Sequence, residues 1–106
     1  MFGRHIFMKL KMDSAGELSR INEDEIIPIL RKQKGFLDET LFIAAERSEA
    51  LANSLWETKE DAEAYSRTAY AEELKILSNV AVGTPIVETF EFVSSALKSA
   101  ALKKRN

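Results

Sequence analysis

The sequence predicts an α+β fold of the ferredoxin-like kind: a four-stranded antiparallel sheet with two helices on one face, in the chain order βαββαβ. Three observations predict it. Residues 5–12 alternate, with Ile6, Met8, Leu10 and Met12 on one side and His5, Phe7, Lys9 and Lys11 on the other, the two-residue period of a strand. Two longer stretches, 17–34 and 59–77, repeat their apolar residues at helical spacing. Three further strand patterns, 39–46, 50–57 and 86–93, fill the remaining places in that order.

Each element has its local reasons. After the break at Asp13, Ser14, Ala15 and Gly16, the residues Leu18, Ile21, Ile26, Ile29 and Leu30 form one helical stripe. Pro28 lies inside it and removes a backbone donor, so a kink or interruption is expected near Ile27. Lys32 and Lys34 suit the negative end of that helix, and Gly35 suits the residue just past it. Leu41, Ile43 and Ala45 alternate with Phe42, Ala44 and Glu46, and the polar residues 46–49 (ERSE) read as a hairpin turn into the third strand. Thr58 reads as the N-cap of the second helix, with Asp61 at capping-box spacing and Glu60, Asp61 and Glu63 in the first turn. Ala62, Tyr65, Ala69 and Ile76 make its stripe, with Tyr70, Leu74 and Leu77 beside it, while Asn79, Gly83 and Pro85 read as breakers. In the last strand Ile86, Phe90 and Phe92 share one face, and Val87 and Val93 the other. Ser94 or Ser95 is placed to cap a short C-terminal helix ending in Lys103, Lys104 and Arg105.

Composition sets the outer limits. With 106 residues, one domain is expected, its core near 5–93 and a tail over 94–106. At 45% hydrophobic and 30% charged the chain is too apolar for disorder, and it holds no long uncharged run that would span a bilayer. A net charge of −2 lacks the basic footprint of general nucleic-acid binding, and the third strand lacks the aromatic and basic spacing of an RNA-binding sheet. There is no cysteine, hence no disulfide, thiolate nucleophile or thiolate metal site. No apolar signal segment precedes the first strand, and a cytoplasmic location is expected.

Bulky apolar residues on both faces of the strands raise a question of area. One helix layer covers one face, and the other would leave Phe and Ile side chains in water. The expectation is a homodimer joined through its sheet faces.

Three segments resemble the antibiotic biosynthesis monooxygenase domain of the dimeric α+β barrel superfamily. They are residues 27–36 (IPILRKQKGF), 54–62 (SLWETKEDA) and 85–92 (PIVETFEF), and the likeness spans roughly residues 5 to 93. The resemblance implies dimerisation through the sheets. It also implies a small monooxygenase that acts on a quinol-like or aromatic molecule without metal or flavin, or a non-catalytic ligand-binding or interaction module on the same dimer. Heme-degrading members of the group use a histidine on the second helix, and here the only histidine is His5, so heme binding is not expected.

Five residues stand out as candidates for a ligand site, and each has a plainer reading. His5 titrates near neutrality, but the first residue of a strand is often a solvated histidine. Trp56 is suited to stack an aromatic ligand and equally to anchor a core. Tyr65 and Tyr70 lie on the inward side of the second helix, as ligand donors or as core tyrosines. Asn53 sits mid-strand with Leu51 and Leu55 on its face, where a buried polar group must find a partner. Trp56, Asn53 and Tyr65 are expected to line any cavity between the second helix and the sheet. No metal, cofactor or carboxylate-pair motif is expected: Glu88 and Glu91 fall on opposite faces, and a lone histidine gives no triad.

Overall fold

The computed structural model describes residues 1–93. Its strands are β1 (Phe2–Leu10), β2 (Phe36–Ala44), β3 (Glu49–Trp56) and β4 (Ala81–Glu91), in the sheet order β2-β3-β1-β4 with every neighbour antiparallel. The helices α1 (Ala15–Ile21), α2 (Ile27–Arg31), α3 (Lys59–Arg67) and α4 (Tyr70–Leu77) cover one face. This is the ferredoxin-like arrangement the sequence predicts. The expected C-terminal helix lies outside the described residues. No helix among the described residues is long and apolar enough to cross a membrane.

The alternation in β1 has the predicted sense. Ile6, Met8 and Leu10 are buried beneath the helices, and His5, Phe7 and Lys9 face the other way. Met12 is an exception: β1 ends at Leu10, and Met12 is 86% exposed in the turn that follows. The inward face of β3 adds Ala50, Ala52, Ser54 and Trp56, against which Leu18, Ile21, Ile26, Leu30, Ala62, Tyr65 and Leu77 pack.

Pro28 acts as expected, with a specific local result. The chain widens into a five-residue π turn, Asn22–Ile26, in which the Ile27 N–H donates to the Asn22 carbonyl five residues back. The wider turn accommodates a proline that cannot donate to the residue four before it. The helix ends at Arg31, short of the expected Lys34, so Gly35 is not its C′ residue. It sits in the turn that follows, at φ +81°.

The second helical segment is two helices. Thr68, at φ −118° and ψ −88°, separates α3 from α4 without any glycine or proline to announce it. Thr58 caps α3 as predicted, its Oγ1 accepting from the Asp61 N–H at 3.1 Å. The hairpin after β2 contains a 3₁₀ turn, Ala45–Arg47, closed by Ser48 in the left-handed region.

β4 begins five residues before its predicted start. Gly83 (φ +72°) and Pro85 lie within it, where the register against β1 jumps from Ile86 opposite Phe7 to Val82 opposite Lys9. A bulge on an edge strand is where a sheet tolerates both residues.

Candidate functional site

The five candidate residues divide between the two sides of the sheet. Trp56, Tyr65 and Tyr70 lie on the helix side. Asn53 and His5 are directly paired across β3 and β1 on the open side, in one row with Thr40 and Glu88. Asn53 therefore does not meet Trp56 or Tyr65. Its alternation with buried Ser54 and Trp56 turns it away from the helices, and its Oδ1 is buried without a hydrogen-bond partner. His5 rests on Phe90, ring centroids 4.7 Å apart.

On the helix side, the candidates form a filled core. Trp56 is fully buried between Phe36, edge-on at 5.6 Å, and Tyr65, stacked at 5.1 Å. Its Nε1 donates to Ser54 Oγ at 2.9 Å, which satisfies the indole. Tyr65 donates to Glu73 on α4. Arg4, 1% exposed, lies 4.0 Å from the centre of the Tyr70 ring and donates through Nε to Ser66 Oγ at 2.9 Å, while its Nη1 and the Tyr70 hydroxyl have no hydrogen-bond partner. No free volume opens beside Glu73: the gap bounded by Ile6, Leu30, Glu39, Ala52, Ser54 and Glu73 is too small for a water molecule.

A cavity lies instead between β2 and the π turn. It measures about 340 Å³ and is lined by Ser19, Asn22, Glu23, Ile27, Glu39, Leu41 and Ile43. Glu39 joins the two regions, since it borders both the closed gap and the open cavity. The alternation of β2 places it inward with Leu41 and Ile43. The π turn brings Asn22 over it, where Nδ2 donates to Glu39 Oε1 at 2.8 Å. Burial raises the Glu39 carboxyl from the ordinary 4.5 to about 7. The Asn22 bond pulls it down, and the charges of Glu73, Asp38 and Glu23 push it further up. Glu73 is also raised, chiefly by burial, with the Tyr65 hydrogen bond and the Arg4 charge opposing. Burial likewise raises both tyrosines, with Arg4 opposing in each case.

A carboxyl that is half ionised near neutrality, on the wall of a cavity large enough for a small ligand, is a candidate general base. Glu39, Glu73, Arg4 and Asn22 were not among the sequence candidates. The signal for two of them was present: Arg4 and Glu39 each stand two residues before the apolar inward residues Ile6 and Leu41, so each strand's alternation points a charge into the core.

No protein-family model matches the sequence, and no curated protein matches it. Solved structures do. A monooxygenase from Streptomyces coelicolor in complex with nanaomycin D superposes with a TM-score of 0.74 at 15% identity, over 89% of this chain and 88% of that one. A Caulobacter crescentus protein assigned to the antibiotic biosynthesis monooxygenases gives 0.69 at 17% identity, over 88% and 90%. A Nitrosomonas europaea protein of unknown function gives 0.72 at 12% identity, over 89% and 90%. The chain has the antibiotic biosynthesis monooxygenase fold. This is the fold that the three sequence segments suggested, and the cavity that Glu39 lines lies between β2 and the π turn.

Proposed function

We propose that the protein is a small cofactor-free monooxygenase that takes a quinol-like or other acidic aromatic molecule into the Glu39 cavity. One observation carries this reading: a carboxyl tuned to about 7 on the wall of a cavity of about 340 Å³. Leu41, Ile43 and Ile27 offer apolar contact for a ring, and Ser19, Asn22 and Glu39 offer polar contacts for its oxygens. Ionised Glu39 removes a proton from the substrate, and the resulting anion is electron-rich enough to reduce dioxygen. For an activated methylene the balance is R₂CH₂ + O₂ → R₂C=O + H₂O. The substrate supplies all four electrons, one oxygen atom enters the carbonyl, and the other leaves as water. The fold shared with the Streptomyces monooxygenase supports the reaction class.

A non-catalytic binding module is the second reading, and the filled core around Trp56 and Tyr65 favours it. Oxygen uptake with a panel of quinols and phenols separates the two. Uptake that is lost in Glu39→Gln supports the enzyme. No uptake, with a shift in melting temperature on adding one of the compounds, supports the binding module. Neither response overturns both.

We also infer a homodimer joined through the open sheet faces. Phe42, Ile86 and Phe90 are 54%, 58% and 46% exposed on that face, and a second copy would bury them in kind.

A further inference from the structure

Tyr65 has a proton acceptor already in place. Its hydroxyl donates to Oε1 of Glu73, and the two side chains are 1% and 2% exposed. Its ring stacks on Trp56 with an interplanar angle of 28° and meets Tyr70 edge-on at 6.2 Å. The acid–base step assigned to Glu39 makes no use of this cluster. Packing alone does not account for it either. A core tyrosine is satisfied by any carbonyl, whereas a buried carboxylate is costly to desolvate, and only part of that cost is returned by one phenol.

The arrangement meets the chemical requirement for oxidising a phenol by one electron. Loss of an electron alone would leave a strongly acidic cation radical in a buried site. Loss of the electron together with the proton leaves a neutral phenoxyl. A carboxylate in the hydrogen bond makes the second course available: Tyr–OH + Glu–COO⁻ → Tyr–O• + Glu–COOH + e⁻. Burial raises the Glu73 carboxyl, and the Tyr65 hydrogen bond and the charge of Arg4, which lies 5.3 Å from the Tyr65 ring centre, oppose that rise and favour the ionised, proton-accepting form.

We propose that Tyr65 is a redox-active tyrosine with Glu73 as its proton acceptor, placed to reduce a substrate peroxyl radical formed in the Glu39 cavity. The step balances as R–OO• + Tyr–OH + Glu–COO⁻ → R–OO⁻ + Tyr–O• + Glu–COOH. The next substrate anion resets the pair, R⁻ + Tyr–O• + Glu–COOH → R• + Tyr–OH + Glu–COO⁻, and R• adds dioxygen to give the next R–OO•, so each turnover sums to R⁻ + O₂ → R–OO⁻ and the substrate supplies every electron. The closed gap bordered by Glu39 and Glu73 sets the two sites side by side, and Tyr65 is itself buried from water. The peroxyl partner rests on the oxygenase reading; the redox competence of Tyr65 does not.

The test needs neither quinol nor dioxygen. The full chain, with its tyrosines ring-deuterated, is oxidised by photogenerated ruthenium(III) tris-bipyridine, frozen, and examined by electron paramagnetic resonance. With only two tyrosines and one tryptophan, assignment is direct. The expected result is a tyrosyl signal in the wild type that persists in Tyr70→Phe and is lost in Tyr65→Phe. Most of it is also lost in Glu73→Gln, which keeps an oxygen acceptor but cannot take the proton. A signal that survives in Tyr65→Phe, an undiminished yield in Glu73→Gln, or an indole radical in place of a phenoxyl would overturn the proposal. Should Tyr65→Phe fail to fold, the contrast between Tyr70→Phe and Glu73→Gln decides the same question. Failure of this experiment removes the tyrosine site alone, and failure of quinol-dependent oxygen uptake removes the oxygenase reading alone.

Discussion

Asn22 Nδ2 donates to Glu39 Oε1 at 2.8 Å, and that bond ties the π turn to the strand opposite. Pro28 causes the wide turn, the turn lowers Asn22 over β2, and Asn22 holds the carboxylate that faces the cavity. A residue that reads as a helix irregularity thereby positions the group assigned the chemistry.

The raised Glu39 pKa makes stability depend on pH, and its sign is fixed. The folded state holds this proton more tightly than the unfolded chain does. The contribution is therefore fully present below the ordinary 4.5 and is lost as pH rises through about 7. Between those limits wild-type stability should fall by about 2 kcal/mol, after allowance for solvent at the cavity mouth. Glu39→Gln should remove that fall. Urea titrations at several pH values check it, and parallel pH profiles for the two proteins would contradict it.

Thr58→Ala should cost about 1 kcal/mol, the usual loss when an N-cap hydroxyl is removed. The 3.1 Å bond to the Asp61 amide is the interaction removed. A denaturant midpoint unchanged by the substitution would mean that the cap contributes nothing.

Gly35→Ala should cost about 1–3 kcal/mol for two reasons. The residue sits at φ +81°, and a Cβ there would lie 2.1 Å from Asp61 Oδ2. Asp61→Ala should return part of that loss, so a double-mutant cycle should show favourable coupling. Purely additive losses would contradict the steric account.

The dimer is tested by mass. Sedimentation equilibrium at micromolar concentration should give twice the 11.9 kDa of the chain, with an interface above roughly 1,500 Å² in total. Replacing Phe42 and Phe90 together by Lys should yield monomer. A wild-type species near 12 kDa would contradict both the dimer and its assignment to this face.

The fold was legible because burial imposes its period on the sequence. The alternation of Ile6, Met8 and Leu10 and the stripe through Leu18, Ile21, Ile26 and Leu30 follow directly from which side meets the core. The start of β4 was not legible, because Gly83 and Pro85 carry the same local signal in an edge bulge as in a loop. The break at Thr68 depends on how α3 and α4 pack and has no local mark. The site was half legible. Aromatic size singles out Trp56 and Tyr65, which are core, and Asn53 lies on the open face, away from both. The phase of β3 against Trp56 already placed Asn53 opposite it. Glu39 and Glu73 escaped notice because a carboxylate among apolar residues reads as surface until the elements around it are assembled.

The protonation state of one carboxyl decides whether Glu39 can act as the base. Titrating the Glu39 side-chain carbon by carbon-13 nuclear magnetic resonance, identified by its loss in Glu39→Gln, measures that state directly. The predicted result is a midpoint near 7; a midpoint at the ordinary 4.5 would contradict the assignment of Glu39 as a base tuned for substrate deprotonation.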